Sequence, residues 1–180
     1  RRQKTLAVVL ENVDDPHNIG AILRSCDAFG VQDVHLLYTK KHPPSISRIR
    51  SESAASVGSA KWLRLTRWNS TEKLIRELKR KKWKIAVTDL SHKGIDLIKA
   101  DFSQSVAVVI GNEHGGISKE LAKAADMNIR IPMIGFVQSF NVSVAAAIIL
   151  YEIFRQREKA GFEKSAYSPA EQKAILKSWS

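Results

Sequence analysis

Two stretches of the chain, Leu6–Leu10 (LAVVL) and Val106–Ile110 (VAVVI), are apolar at every position. A strand with one wet face alternates polar and apolar side chains. One that is apolar throughout has to be covered on both faces, as happens inside a parallel sheet layered between helices. Val34–Tyr38, Trp62–Leu65, Ile85–Val87 and Asn128–Ile131 read as further short strands. Between and after them Asn18–Phe29, Ser51–Ser59, Thr71–Lys82, Ile117–Ala125, Val142–Arg157 and Ser168–Trp179 read as helices. Asn18 stands where it can cap the first of these and Gly30 where it can end it, and Pro169 suits the first turn of the last. Strand and helix alternate over 180 residues, which predicts one α/β domain with a mostly parallel sheet flanked by helices.

Charge narrows the class of partner. Lys and Arg number 29 against 18 Asp and Glu, a formal net charge of +11, which favours a polyanion. The excess is patchy: Arg1, Arg2 and Lys4, then Lys40, Lys41, Arg48 and Arg50, then Lys73 to Lys84. The last patch also reads as a solvated helix face. With 44% apolar and 26% charged residues and no apolar run near the roughly 20 residues of a membrane span, a cytoplasmic protein is expected. Cys26 is the only cysteine, and the five histidines show no metal-ligand spacing, so neither an internal disulfide nor a metal site is expected.

Ligands of open parallel sheets bind at the carboxyl ends of the strands, so the segments that follow the strands are the place to look for chemistry. The first strand is followed by Glu11 to Gly20, with Asn18 near the start of a helix and Arg24 further along it. Thr88 closes the fourth strand. The fifth runs into Gly111-Asn112-Glu113-His114-Gly115-Gly116, where bare backbone amides can approach a ligand. The last runs into Ile131, Met133 and then Ser139, Phe140 and Asn141 ahead of a long apolar helix. Each segment has a plainer reading as a helix cap or tight turn. No G-x-G-x-x-G follows the first strand, and neither a G-x-x-x-x-G-K-[ST] nor a G-x-S-x-G occurs.

Taken together, these segments resemble the three motifs of the SpoU family, the 2′-O-ribose RNA methyltransferases of the SPOUT superfamily. Asn18-Ile19-Gly20-Ala21 through Arg24 is similar to the first, Ile110 through Ile117 to the second, and Ile131-Pro132-Met133 through Ser139-Phe140-Asn141-Val142-Ser143-Val144-Ala145 to the third. The resemblance covers residues 6–158, with a basic tail at 1–5 and a helical extension at 159–180. The third motif is most like that of the branch that methylates the D-loop guanosine at position 18 of tRNA, with Phe140 standing where leucine is expected.

The resemblance implies a SPOUT fold, in which the C-terminal segment is threaded into a deep trefoil knot, against the general rule. It implies S-adenosylmethionine as cofactor, in contact with Thr88, Gly111, Ile131, Met133 and Phe140, and a homodimer to which Val142–Ile149 contributes. It gives the catalytic role to Arg24, as base or as a clamp on the substrate phosphate, with Asn18, Glu113, Ser139 and Asn141 orienting it and the ribose. RNA grip is expected from Arg1, Arg2, Lys4, Lys40, Lys41, Arg48 and Arg50. Other targets, 23S rRNA or the tRNA wobble ribose, and a non-catalytic RNA-binding module remain open at this stage.

Overall fold

In the computed structural model, which describes residues 2–39, 49, 58–88, 94–113, 115–162 and 166–177, strands and helices follow one another much as the sequence predicts. The strands are β1 (Gln3–Glu11), β2 (Val31–Leu37), β3 (Arg64–Trp68), β4 (Lys84–Thr88), β5 (Ile95–Asp96), β6 (Val106–Ile110) and β7 (Met127–Arg130). The helices are α1 (Pro16–Ala28), α2 (Thr71–Arg80), α3 (Lys119–Ala124), α4 (Val142–Lys159) and α5 (Pro169–Lys177). All pairings are parallel, in the order β3-β2-β1-β6-β4-β7-β5.

The two wholly apolar runs lie side by side at the centre, Leu6 to Leu10 in register with Val106 to Ile110. Leu6, Val8 and Leu10 face one way, onto Ile19, Ile22, Leu23 and Cys26 of α1 and Ala146, Ile149 and Leu150 of α4. Ala7 and Val9 face the other way, onto Leu74 and Leu78 of α2 and Leu121 of α3. The sheet is therefore the middle layer of three, and burial on both sides explains why neither run alternates.

The order of strands locates the site. α1 carries the chain from β1 outward to β2, whereas α3 carries it from β6 past β4 to β7. Neighbouring β1 and β6 thus release their loops in opposite directions, which opens a crevice at their carboxyl ends.

Three details depart from the sequence reading. Asp15, not Asn18, caps α1: its carboxylate accepts from the His17 amide at 2.9 Å, and Pro16 takes the first helical position, where a missing N–H costs nothing. The described residues form seven strands rather than six, because two-residue β5 at the sheet edge is too short to leave a pattern. Trp62 belongs to a 3₁₀ turn (Ser59–Trp62), and β3 begins after it at Arg64; as an edge strand it is not wholly apolar. Of the expected helix 51–59, residues 51–57 lie outside the described residues.

Two backbone anchors stand out. Lys82 follows α2 at φ 56°, its amide bonded to the Lys79 carbonyl at 2.9 Å and the Trp83 amide to the Leu78 carbonyl at 3.0 Å. Glycine is the usual occupant of this left-handed position, and a side chain there costs about 1 kcal/mol. Arg157, only 2% exposed, donates to the carbonyls of Phe102 (3.1 Å), Thr5 (3.1 Å) and Gln104 (2.9 Å) and to Gln3 Oε1 (2.8 Å). Burial brings its pKa down to about 10, so it still holds its charge at neutral pH. It fastens the end of α4 to the start of β1 and to the turn before β6.

Arg157→Met should lower stability by about 3 kcal/mol, because the side chain's polar partners lose their donors together. Urea unfolding checks this: the midpoint falls with the slope unchanged. Arg157→Lys should rescue little, since one ammonium cannot replace the fork.

Candidate functional site

The loops after β1, β6 and β7 meet at the crevice, and side chains from all three join in one hydrogen-bonded chain. Asn141 caps α4: its Oδ1 accepts from the Ser143 amide (2.8 Å) and the Ser143 hydroxyl (2.6 Å). That use of its carbonyl leaves the amide NH₂ to donate to Asn18 Oδ1 at 3.1 Å. Asn18 is oriented in turn, and its NH₂ donates to Glu113 Oε1 at 2.8 Å. The cap that starts α4 therefore fixes, two residues along, which way a carboxylate faces in the β6 loop. Asn18 can serve because Asp15 has relieved it of capping α1.

The β6 loop is held from several sides. Asn112 and Gly116 exchange backbone hydrogen bonds at 3.1 and 2.9 Å, closing a small turn, and Asn112 Oδ1 accepts from the Gly115 amide at 3.0 Å. The Asn112 NH₂ reaches across to the carbonyl of Asn12 at 2.8 Å. Asn12 takes the left-handed conformation (φ 51°) that Asn tolerates, and its side-chain carbonyl accepts from the Thr39 amide at 3.0 Å. Glu11, 1% exposed, accepts from the Ser118 amide at 2.9 Å, while Ser118 caps α3. Glu11 is a site-forming residue that sequence reasoning missed; the only available signal was a carboxylate ending a wholly apolar strand.

Beside this chain lies a cavity of about 810 Å³, within the range of small-molecule sites. Thr88, Gly111, Ile131, Met133 and Phe140, the five residues assigned to a cofactor, all line it, with Glu113, Ser139 and Asn141. Leu97, Ile129 and Val142 add apolar wall. Arg130 also borders the cavity, and its guanidinium pairs with Asp96 at 2.7 Å. One carboxylate, Glu113, with no ion pair among the described residues and set against apolar walls, suits a ligand with a flat apolar ring and a positive charge better than a polyphosphate.

Most of the remaining assigned residues, among those described, lie away from the cavity. Arg24 is exposed on α1, six residues beyond Asn18, and makes no ion pair or side-chain hydrogen bond among the described residues. Asp27, a candidate partner for it, is taken by Arg2 at 2.5 Å. Ser139 is exposed at the cavity wall. Arg2 also donates to the Val31 carbonyl at 3.0 Å, and Lys4 pairs with Glu171 of α5 at 2.6 Å. Both sit at the start of β1, at the amino ends of the strands and away from the crevice, about 20–30 Å from it along the strand. Arg1, Lys40, Lys41, Arg48 and Arg50 lie outside the described residues.

The turn makes a sharp demand at Gly111. A Cβ there would come within 2.5 Å of both the carbonyl carbon and oxygen of Gly116, whereas one at Gly115 meets nothing nearer than Asn112 Oδ1 at 3.8 Å. Gly111→Ala should therefore cost about 2–3 kcal/mol and Gly115→Ala less than about 0.5, as read by thermal or urea unfolding. Equal effects would mean that the closeness of the two backbones does not constrain the loop.

Comparison with known proteins agrees with this architecture. The profile of the SpoU rRNA Methylase family matches residues 5–151. The tRNA (guanosine(18)-2′-O)-methyltransferase of Escherichia coli K12 is 40% identical over 98% of this chain and 76% of its own length. Among solved structures, the Aquifex aeolicus TrmH/SpoU tRNA modifying enzyme superposes with a TM-score of 0.85 at 37% identity, over 99% of this chain and 88% of that one. The SpoU methyltransferase AviRb of Streptomyces viridochromogenes, solved in complex with the cofactor AdoMet, gives a TM-score of 0.76 at 29% identity, over 88% of this chain and 63% of that one. With a profile match over most of its length and a relative 40% identical across nearly all of it, the chain belongs to the SpoU methylase family.

Proposed function

We propose that this protein transfers a methyl group from S-adenosylmethionine to the ribose 2′-oxygen of the D-loop guanosine at position 18 of tRNA. The observation that carries the reading is the Asn141–Asn18–Glu113 chain, which joins all three family motifs beside the cavity. The target follows the relatives, whose names specify guanosine 18 of tRNA.

The cavity suits the cofactor in size and character: apolar walls for an adenine, a tight glycine turn at Gly111, and one carboxylate, Glu113, for a cationic end. Bound there, S-adenosylmethionine supplies a methyl group on a cationic sulfur, with a neutral thioether as leaving group. The protein's task is then to position the ribose and accept its proton. Asn18, Asn141 and Glu113 form a rigid rim that can orient the ribose, and Ser139 stands exposed at the same wall. Arg24, with no described carboxylate partner, is free to clamp the substrate phosphate. A guanidinium normally stays protonated, so the clamp is the simpler role, with water or that phosphate taking the proton.

The chain is further proposed to share the family's knotted threading. Thr88 at the end of β4 and the segments after β6 and β7 wall one cavity before α4 packs on α1, an arrangement compatible with a trefoil. A homodimer is proposed on the exposed apolar residues Ile134, Phe136, Val137, Phe140, Val144 and Tyr151, of which Ile134 and Phe136 are fully solvent-facing in the single chain. Within Val142–Ile149, Val142, Ala146 and Ile149 belong to the core, so Val144 is the residue of that stretch left to face a partner. The activity fits a cytoplasmic protein.

Labelled S-adenosylmethionine and unmodified tRNA test the reading: methyl should appear on the D-loop guanosine 2′-oxygen. Transfer to rRNA or the wobble ribose would keep the reaction and overturn the target. Arg24→Lys should lose roughly 100-fold in kcat/KM with an unshifted pH–rate profile; a shifted profile would assign Arg24 as base. Light scattering should give twice the 20.1 kDa chain mass, and Phe136→Asp with Val144→Asp should return it to one.

A further inference from the structure

On the sheet face opposite α1 and α4, helices α2 and α3 pack on a shared apolar cluster through Leu74, Leu78 and Leu121. Their outer surface is strongly basic: residues 71–82 and 119–124 hold eight Lys or Arg against three Glu. Arg76 is engaged by Glu72, and Arg80 and Lys81 by Glu77. Lys73, Lys79, Lys82, Lys119 and Lys123 are exposed, and their side chains make no ion pair or hydrogen bond among the described residues.

Lys82 adds an independent observation. It occupies the left-handed position after α2 at φ 56°, where glycine would be less strained. A charge kept at a conformational cost points to a use for that charge outside the fold.

We propose that the α2–α3 face is a second RNA-contacting surface, holding backbone phosphates of the tRNA body away from the methylated nucleotide. It rests on the reading that tRNA is the substrate. Lys119 opens α3 directly after the Gly111–Ser118 loop, so the basic stripe begins beside the cavity. Lys82 lies past the far end of ten-residue α2, about 15 Å further along. A stripe that leads away from the cavity suits an RNA that continues beyond the methylated loop. The same helices present none of the exposed large apolar residues that a membrane-surface helix inserts.

The test compares the intact protein with Lys82→Gly and with a triple variant that adds Lys119→Gln and Lys123→Gln. Each is measured for Tm, S-adenosylmethionine affinity, binding to phosphatidylserine vesicles, and affinity for full-length tRNA and for an isolated D-arm stem-loop. Lys82→Gly should raise Tm by about 2–4 °C while weakening full-length tRNA binding, a pairing that a purely structural role would not give. The triple variant should bind full-length tRNA about tenfold more weakly, with a salt slope lower by about 2–3, while stem-loop and cofactor affinities hold. Unchanged tRNA affinity and slope would overturn the proposal, as would equal weakening on both RNAs, which would assign the face to the cavity mouth. Loss of binding to phosphatidylserine vesicles with tRNA affinity intact would also overturn it, in favour of a membrane surface. Failure of the underlying reading is seen separately, as no methyl transfer to any RNA by the unaltered protein.

Discussion

The site depends on how one amide is oriented. Asn141 uses its carbonyl to cap α4, and this turns its NH₂ toward Asn18, which is thereby turned toward Glu113. Three loops that are remote in sequence are held in mutual register by a cap that α4 needs in any case. The first four amides of any helix lack internal partners, so a good cap is worth about 1 kcal/mol in itself. Here that local requirement also sets the rim of the cavity, and folding α4 and assembling the site become one event.

The sheet supplies the rest of the geometry. β1 and β6 are adjacent, yet their helices depart in opposite directions, and the crevice between them is where Asn12, Asn18, Asn112 and Glu113 converge. Glu11 and Ser118 brace this crevice from below, and Gly111 lets two backbones approach more closely than a side chain would permit. At the amino ends of the strands Arg157 binds the end of α4 to the start of β1. The long helix is thus fixed at both ends, by Asn141 at the site and by Arg157 at the amino ends of the central strands.

Much of this was legible in the sequence because its causes are local or strongly patterned. Uninterrupted apolar runs gave away the central strands, and glycines and polar residues after them marked the loops. Asn18 reads as a candidate cap, but Asp15, three residues earlier, does that work, and spacing cannot decide between two good capping residues. β5 left no trace because two residues carry no period. The partners of Arg2 and Lys4, Asp27 and Glu171, are set by tertiary approach and could not be read from charge alone. The exposed apolar residues of the third motif pose a different problem. Ile134 and Phe136 look like core by composition, and only the fold shows them facing water.

The measurement that tests the account most directly is a double-mutant cycle between Asn18→Ala and Asn141→Ala, read as kcat/KM for methyl transfer to tRNA. If the chain orients the site as a unit, breaking either link should cost nearly as much as breaking both, with a coupling of at least about 1 kcal/mol. Strictly additive losses would contradict the account, since each asparagine would then act on its own and the cap of α4 would have no part in shaping the site.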